Sequence, residues 1–122
     1  MSTTPIYLIS VNKTPKRAAL LVGQLLESLS NNHDIVHIAN ASTLQELKVV
    51  LDTLVYPPGI LICSSQWTAE EQDQAVTIAK ASLPYIGVIT IPPGLDVREG
   101  SEGILSFLKS AIENLELLGS KK

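Results

Sequence analysis

Four times along its length the chain passes from a short, continuous apolar run to a longer segment with apolar residues three and four apart. Runs of the first kind read as strands buried on both faces, and segments of the second kind read as helices with one apolar stripe. Ile6 to Val11 (IYLISV) is the first run. Thr14 then supplies an N-cap and Pro15 a first helical position. Leu21, Val22, Leu25, Leu26 and Leu29 repeat at helical spacing until Asn31-Asn32. Ile35 to Ala39 is the second strand. Asp34 and Asn40 border it and His37 interrupts it, a polarity that suits the edge of a sheet.

Ser42 with Gln45, or Thr43 with Glu46 one residue on, forms a capping box for the second helix. Leu44, Leu47, Leu51 and Leu54 give that helix its stripe, and Pro57-Pro58-Gly59 stops it. Ile60 to Cys63 is a short, wholly apolar strand. Thr68-Ala69-Glu70-Glu71 is a second capping box, and its helix runs toward Ser82 before Pro84. Tyr85 to Ile91 is the fourth strand, and Pro92 to Gly100 reads as a loop long enough for a lid or a short fifth strand. The last helix is expected from about Ser101 to Leu118, with Gly119 as its C-cap.

Strands separated by helical crossovers of a dozen or more residues pair in parallel and connect right-handedly. The first and third strands carry the fewest polar interruptions and belong at the centre, so the expected order is 2-1-3-4. Right-handed crossovers place the first helix on one face and the second and third on the other. The fourth returns beside the first. The predicted fold is a three-layer α/β/α sandwich over residues 1–122 as one domain, flavodoxin-like or Rossmann-like in topology, with a mostly parallel four-stranded sheet.

Composition narrows the partners. With 45% apolar residues and only five aromatic ones, the core must be aliphatic. A net charge of −3 disfavours general binding to nucleic acid or anionic membranes. Cys63 is the single cysteine, which leaves no intrachain disulfide and no multi-cysteine metal centre. The N-terminal sequence lacks the basic and apolar regions of a secretion signal. No apolar run approaches the roughly 20 residues of a membrane span. These features together predict a cytoplasmic protein.

Order 2-1-3-4 has one topological switch point, between the first and third strands, and ligands of open α/β sheets bind outside the carboxyl ends of the strands there. The residues that meet at that point are Asn12, Lys13 and Thr14 after the first strand, and Ser64, Ser65, Gln66 and Trp67 after the third. Lys13, Lys16 and Arg17, three of the nine basic residues, crowd the start of the first helix, where the macrodipole is already positive. Such crowding is favourable when an anion sits there, held by backbone amides, the Thr14 hydroxyl and the cations. Otherwise the three are solvated surface charge. The expected anion site therefore comprises Asn12, Lys13, Thr14, Lys16, Arg17, Ser64, Ser65 and Trp67. Trp67 either stacks on the ligand or caps the core with its indole edge wet.

Several chemistries lack their residues. Neither GxGxxG nor GxxxxGK[ST] occurs, so the dinucleotide and P-loop fingerprints are missing. Ser10 and Thr14 resemble the hydroxyl-rich phosphate loop of flavodoxins, but no glycine lies between them and Lys13 stands where close backbone approach is needed. That resemblance implies fold alone. Receiver domains of response regulators are similar in architecture, yet Asn12-Lys13 and Cys63-Ser64 stand where their acidic residues belong. A receiver-like chain of this kind would act through partners. Cys63 ends the third strand near the crevice without a base at hand, since His33 precedes the second strand and His37 lies within it. Ser64-Ser65 has no GxSxG elbow. Asp96, Arg98 and Glu99 fall in the Pro92–Gly100 loop as solvated charges.

The fourth helix carries Ile104, Leu105, Phe107, Leu108, Ala111, Ile112, Leu115, Leu117 and Leu118, more apolar arc than one sheet face covers. A homodimer through this helix is expected. Two functions fit these residues. One is a small protein, binding or weakly catalytic, that holds a phosphate-bearing small molecule at the carboxyl edge of the sheet; no cofactor is indicated. The other is a non-catalytic, receiver-like interaction module.

Overall fold

The computed structural model describes residues 5–29 and 34–115. Eight elements alternate along the chain: β1 (Ile6–Val11), α1 (Pro15–Leu29), β2 (Ile35–Ala41), α2 (Leu44–Thr53), β3 (Ile60–Cys63), α3 (Ala69–Ser82), β4 (Gly87–Thr90) and α4 (Leu95–Glu113). The strands form one all-parallel sheet in the order β2-β1-β3-β4. The expected order 2-1-3-4 and the three-layer, flavodoxin-like arrangement are therefore what the chain adopts.

Alternation along each strand divides the core between the faces. Leu8, Ile60, Ile62 and Ile89 point to α1 and α4, where Leu21, Leu25, Leu29, Ile104, Leu108 and Ile112 meet them. Ile9, Val11, Leu61 and Cys63 point to α2 and α3, where Leu47, Leu51, Ala75 and Ala79 meet them. Burying one leucine or isoleucine in this way contributes about 1.5–3 kcal/mol. β3 lies wholly inside and β1 does so from Leu8 onward, with Ile6 and Tyr7 half-buried, while β2 is half exposed along an edge.

Three local features differ from the sequence expectation. β2 extends to Ala41 because a bulge between Leu8 and Ile9 of β1 skips Ile38, pairing Leu8 with His37 and Ile9 with Ala39. β4 is shorter than Tyr85–Ile91, since Pro84 and Tyr85 form a turn and Ile86 precedes the ladder. The Pro92–Gly100 segment is not an open loop. After the Pro93–Gly94 turn, Leu95 begins a helical turn that ends at Gly100, whose φ of 68° and ψ of −167° kink α4.

The apolar arc of α4 is largely absorbed. Ile104, Leu108 and Ile112 are buried, and Leu105, Phe107, Ala111 and Leu115 pack half-buried against the α1 side of the core. Leu117, Leu118 and Gly119, like Asn31, Asn32 and His33, lie outside the described residues. No helix among the described residues is long and apolar enough to cross a membrane.

Candidate functional site

The carboxyl ends of β1 and β3 part at the switch point, and a hydrogen-bonded lattice joins the loops that leave them. Asn12 is buried, and its Oδ1 accepts the Thr14 amide at 2.7 Å and the Thr14 hydroxyl at 2.8 Å. Thr14 precedes Pro15, but its hydroxyl faces Asn12 and the Gln66 amide instead of the α1 backbone. Gln66 bridges the two loops: its Oε1 accepts the Lys13 amide at 3.0 Å, and its Nε2 donates to Thr14 Oγ1 at 3.2 Å. The Ser64 hydroxyl accepts the Gln66 amide, and the buried Ser65 donates to Asp96 Oδ1 at 2.8 Å. Gln72, buried on α3, donates to the carbonyls of Ser64 and Ile91 and so ties the ends of β3 and β4 together.

The eight residues expected at the site divide into three groups. Asn12, Arg17, Ser64 and Ser65 line one cavity on the α1/α4 side, together with Gln66 and Asp96. Lys13 and Trp67 turn the other way. Trp67 is buried in the α2/α3 core, its indole N–H donates to the Val11 carbonyl at 3.0 Å, and the Lys13 ammonium lies 4.9 Å from its ring centroid. Of the two roles open to Trp67, the geometry is that of a core cap whose face Lys13 covers. Lys13 is also attracted to Glu71, whose carboxyl the Thr68 backbone N–H, foremost, and Lys13 hold below the usual range. Thr14, just before α1, and Lys16, on its exposed first turn, stand outside the cavity lining.

Two of the three cations thus remain at the α1 start. Among the described residues neither Lys16 nor Arg17 has an ion-pair partner, and their backbone amides have no acceptor. A helix start leaves such amides pointing outward along its axis. No acidic residue occupies the first turn of α1, whereas Glu46, Glu70 with Glu71, and Asp96 occupy those of α2, α3 and α4.

The Cys63 thiol is held in an inert form. Burial, with Glu71 nearby, pushes the Cys63 thiol up to about 12, so it stays protonated at neutral pH. Ser10 Oγ lies 2.9 Å from His37 Nε2, a contact that strand alternation does not foretell. However, Ser10 donates to Asn40 Oδ1 at 2.7 Å, an orientation set by Asn40 Nδ2 donating to the Asn12 carbonyl. His37 is also hydrogen-bonded to the Ala39 backbone, so Ser10, His37, Asn40 and Asn12 form one hydrogen-bonded network whose proton placement follows the His37 tautomer. The bulge in β2 creates this contact, because His37 and Asn40, three apart, would otherwise face opposite ways. No cluster of three metal-ligating side chains occurs among the described residues.

The sequence pattern places Asp96 among solvated loop charges and assigns Gln72 no role. The signal for Gln72 was present: with Ala75 and Ala79 it completes a buried stripe at helical spacing, where an uncharged polar residue needs a partner. Compared with protein-family models, curated proteins and solved structures, the chain has no match.

Proposed function

We propose that the chain binds a small anionic molecule, phosphate-bearing in class, at the carboxyl edge of its sheet on the α1/α4 side of the switch point. The observation that carries this reading is the start of α1. Its free Lys16 and Arg17 amides, two unpaired cations and lack of any first-turn acid coincide with a cavity that Arg17, Asn12, Ser64 and Ser65 line. An anion there replaces the carboxylate that the other helices carry in their own sequences. Two charge-assisted hydrogen bonds at about 1.5–3 kcal/mol each give a site of roughly millimolar affinity before any further contact.

Titration with inorganic phosphate, followed by amide NMR, tests the reading. The Lys16 and Arg17 amides are expected to shift saturably. Charge reversal, Lys16→Glu with Arg17→Glu, abolishes the response, and added salt weakens it. Flat amide shifts through tens of millimolar phosphate (about an order of magnitude above the expected range) would sink the proposal.

A second reading, the non-catalytic interaction module, draws on the opposite face. An open groove of about 530 Å³ runs between α2 and α3, lined by Leu44, Val49 and Ile78 with Lys48, Asp52 and Gln74 at its rim. Val49 is 59% exposed there. On this reading the groove is a partner surface, and a homodimer through Phe107 and Leu105 of α4 is the alternative contact. Sedimentation velocity decides whether the chain self-associates: Phe107→Glu yields monomer if α4 is the interface, and Val49→Glu does so if the groove is.

A further inference from the structure

The sheet has two edges, and they are finished differently. β2 has a bulge, Asp34 at its entry and His37 within it, features that keep an edge from pairing further. β4 has none of these. Residues 84–95 include no charged side chain, and the register of β4 with β3 runs without a bulge. In that register Gly87, Ile89 and Ile91 turn their backbone groups toward β3. The Gly87 amide donates to the Gly59 carbonyl at 2.9 Å and the Ile91 amide to the Cys63 carbonyl at 3.0 Å. The amides and carbonyls of Val88 and Thr90 therefore point outward. β3 is the one strand beside β4, and among the described residues nothing bonds those four outward groups.

The next residues on the same side are already closed. The Ile86 amide donates to the Leu83 carbonyl, and the Ile86 carbonyl accepts from Lys80 Nζ at 3.3 Å. Pro92 has no amide hydrogen, and its carbonyl accepts the Leu95 amide at 3.0 Å. What the edge offers is thus two donors and two acceptors, on residues two apart. An antiparallel copy of the same strand matches them in full. With Ile89 opposite the partner's Ile89, Val88 and the partner's Thr90 exchange both hydrogen bonds, and Thr90 and the partner's Val88 do the same. Ile86 then stands opposite the partner's Pro92, where neither needs anything from the other. A longer foreign strand would gain nothing beyond these four bonds. The same register sets Tyr85 opposite the partner's Pro93, one helical turn ahead of the partner's Val97. Tyr85 is 96% and Val97 85% exposed, the two most exposed large apolar side chains among the described residues.

We infer that β4 is a self-pairing edge, and that two copies of the chain join there, antiparallel about a two-fold axis at Ile89, into one continuous sheet. The two-fold makes each contact twice, Tyr85 against the segment carrying Val97 included. This surface is separate from the anion site, the α2/α3 groove and the apolar arc of α4, and the inference stands without any of them.

Sedimentation velocity and amide hydrogen exchange on the full chain test it. The wild-type chain is expected to sediment as a concentration-dependent dimer. Thr90→Pro removes an amide that has no acceptor within the chain, a change that an edge strand tolerates. It also removes two of the four hydrogen bonds between copies, and the dimer dissociation constant is expected to rise about thirtyfold. Thr90→Lys keeps the amide but puts a charge on either side of the axis, and it disperses the dimer whether or not the proline variant folds. Phe107→Glu and Val49→Glu leave the dimer intact. The Val88 and Thr90 amides are protected at concentrations where the dimer prevails and lose protection on dilution. A wild-type chain that stays monomeric at its highest soluble concentration overturns the inference. So does a dimer that Phe107→Glu or Val49→Glu disperses and Thr90→Lys does not, and so do Val88 and Thr90 amides that exchange equally fast in monomer and dimer.

Discussion

The two faces of the sheet are covered by helix pairs that begin in opposite ways. On the α2/α3 face both helices complete their own first turns. Thr43 accepts the Glu46 amide while Glu46 accepts from Ser42, and Thr68 and Glu71 form a reciprocal capping box. On the α1/α4 face neither start is closed this way. α1 is approached through an Asn12 turn with cations and no acid, and α4 begins at Gly94 with no side-chain cap. Packing follows the same division. Ala75 and Ala79 let α3 lie close to Leu61 and Cys63, whereas the Leu- and Ile-rich face leaves two water-sized cavities at its carboxyl end. A face whose helices satisfy themselves needs nothing more at its edge. The other face keeps amides, charge and space that a ligand can use.

The largest effects come from the cores. Leu108→Ala, at a fully buried position of the α1/α4 face, is expected to lower stability by about 2–5 kcal/mol in urea unfolding. On the opposite face the sensitive change is in the other direction, and Ala79→Leu should cost about 1–3 kcal/mol by overpacking. If Ala79→Leu is tolerated freely, the two faces are not packed as differently as they look.

Helix starts give the next contrast. Thr68→Ala removes the acceptor of the α3 box and should cost about 1 kcal/mol. Lys16→Glu places an acid at the α1 start and should stabilise the fold by about 0.3–1 kcal/mol while weakening phosphate binding. A variant that gains stability and loses ligand would mark the native charge pattern as kept for binding. A Lys16→Glu chain no more stable than the native one would remove the electrostatic half of the comparison.

The smallest effect is the pH response of His37, on the Ser10 side of the sheet. Burial lowers its pKa from the ordinary 6.5, with the Ala39 backbone opposing. As pH falls, the unfolded chain takes up this proton before the folded one. The stability associated with neutral His37 is therefore present above about pH 6.5 and is lost as pH falls through the lower folded value. Thermal melts at pH 7.5 and pH 5 should show that loss, and His37→Gln should flatten it. An unchanged pH profile in His37→Gln would leave Ser10, Asn40 and Asn12 without the coupling their hydrogen bonds imply.

Hydrophobic period alone determined much of this protein. The four strand–helix units, the central places of β1 and β3, the order 2-1-3-4 and the assignment of helices to faces follow from runs of Ile, Leu and Val and from the handedness of crossovers. So does the meeting of Asn12 with Ser64 and Ser65 at the switch point, because topology alone brings those loops together. Other features were decided by tertiary structure. One skipped residue, Ile38, moved His37 and Asn40 onto the same side as Ser10, and strand alternation carries no sign of a bulge. Lys13 and Arg17, four apart in the sequence, were sent to opposite faces. Trp67 and Glu71 draw the first, and the second lies over the cavity. Asp96 joined the site only because Gly94 and Gly100 fold the segment between them into a turn above Ser65. Period reports which side chains must leave water. Where a charge or hydroxyl points depends on partners far away in the chain, and those partners are present only once the sheet has formed.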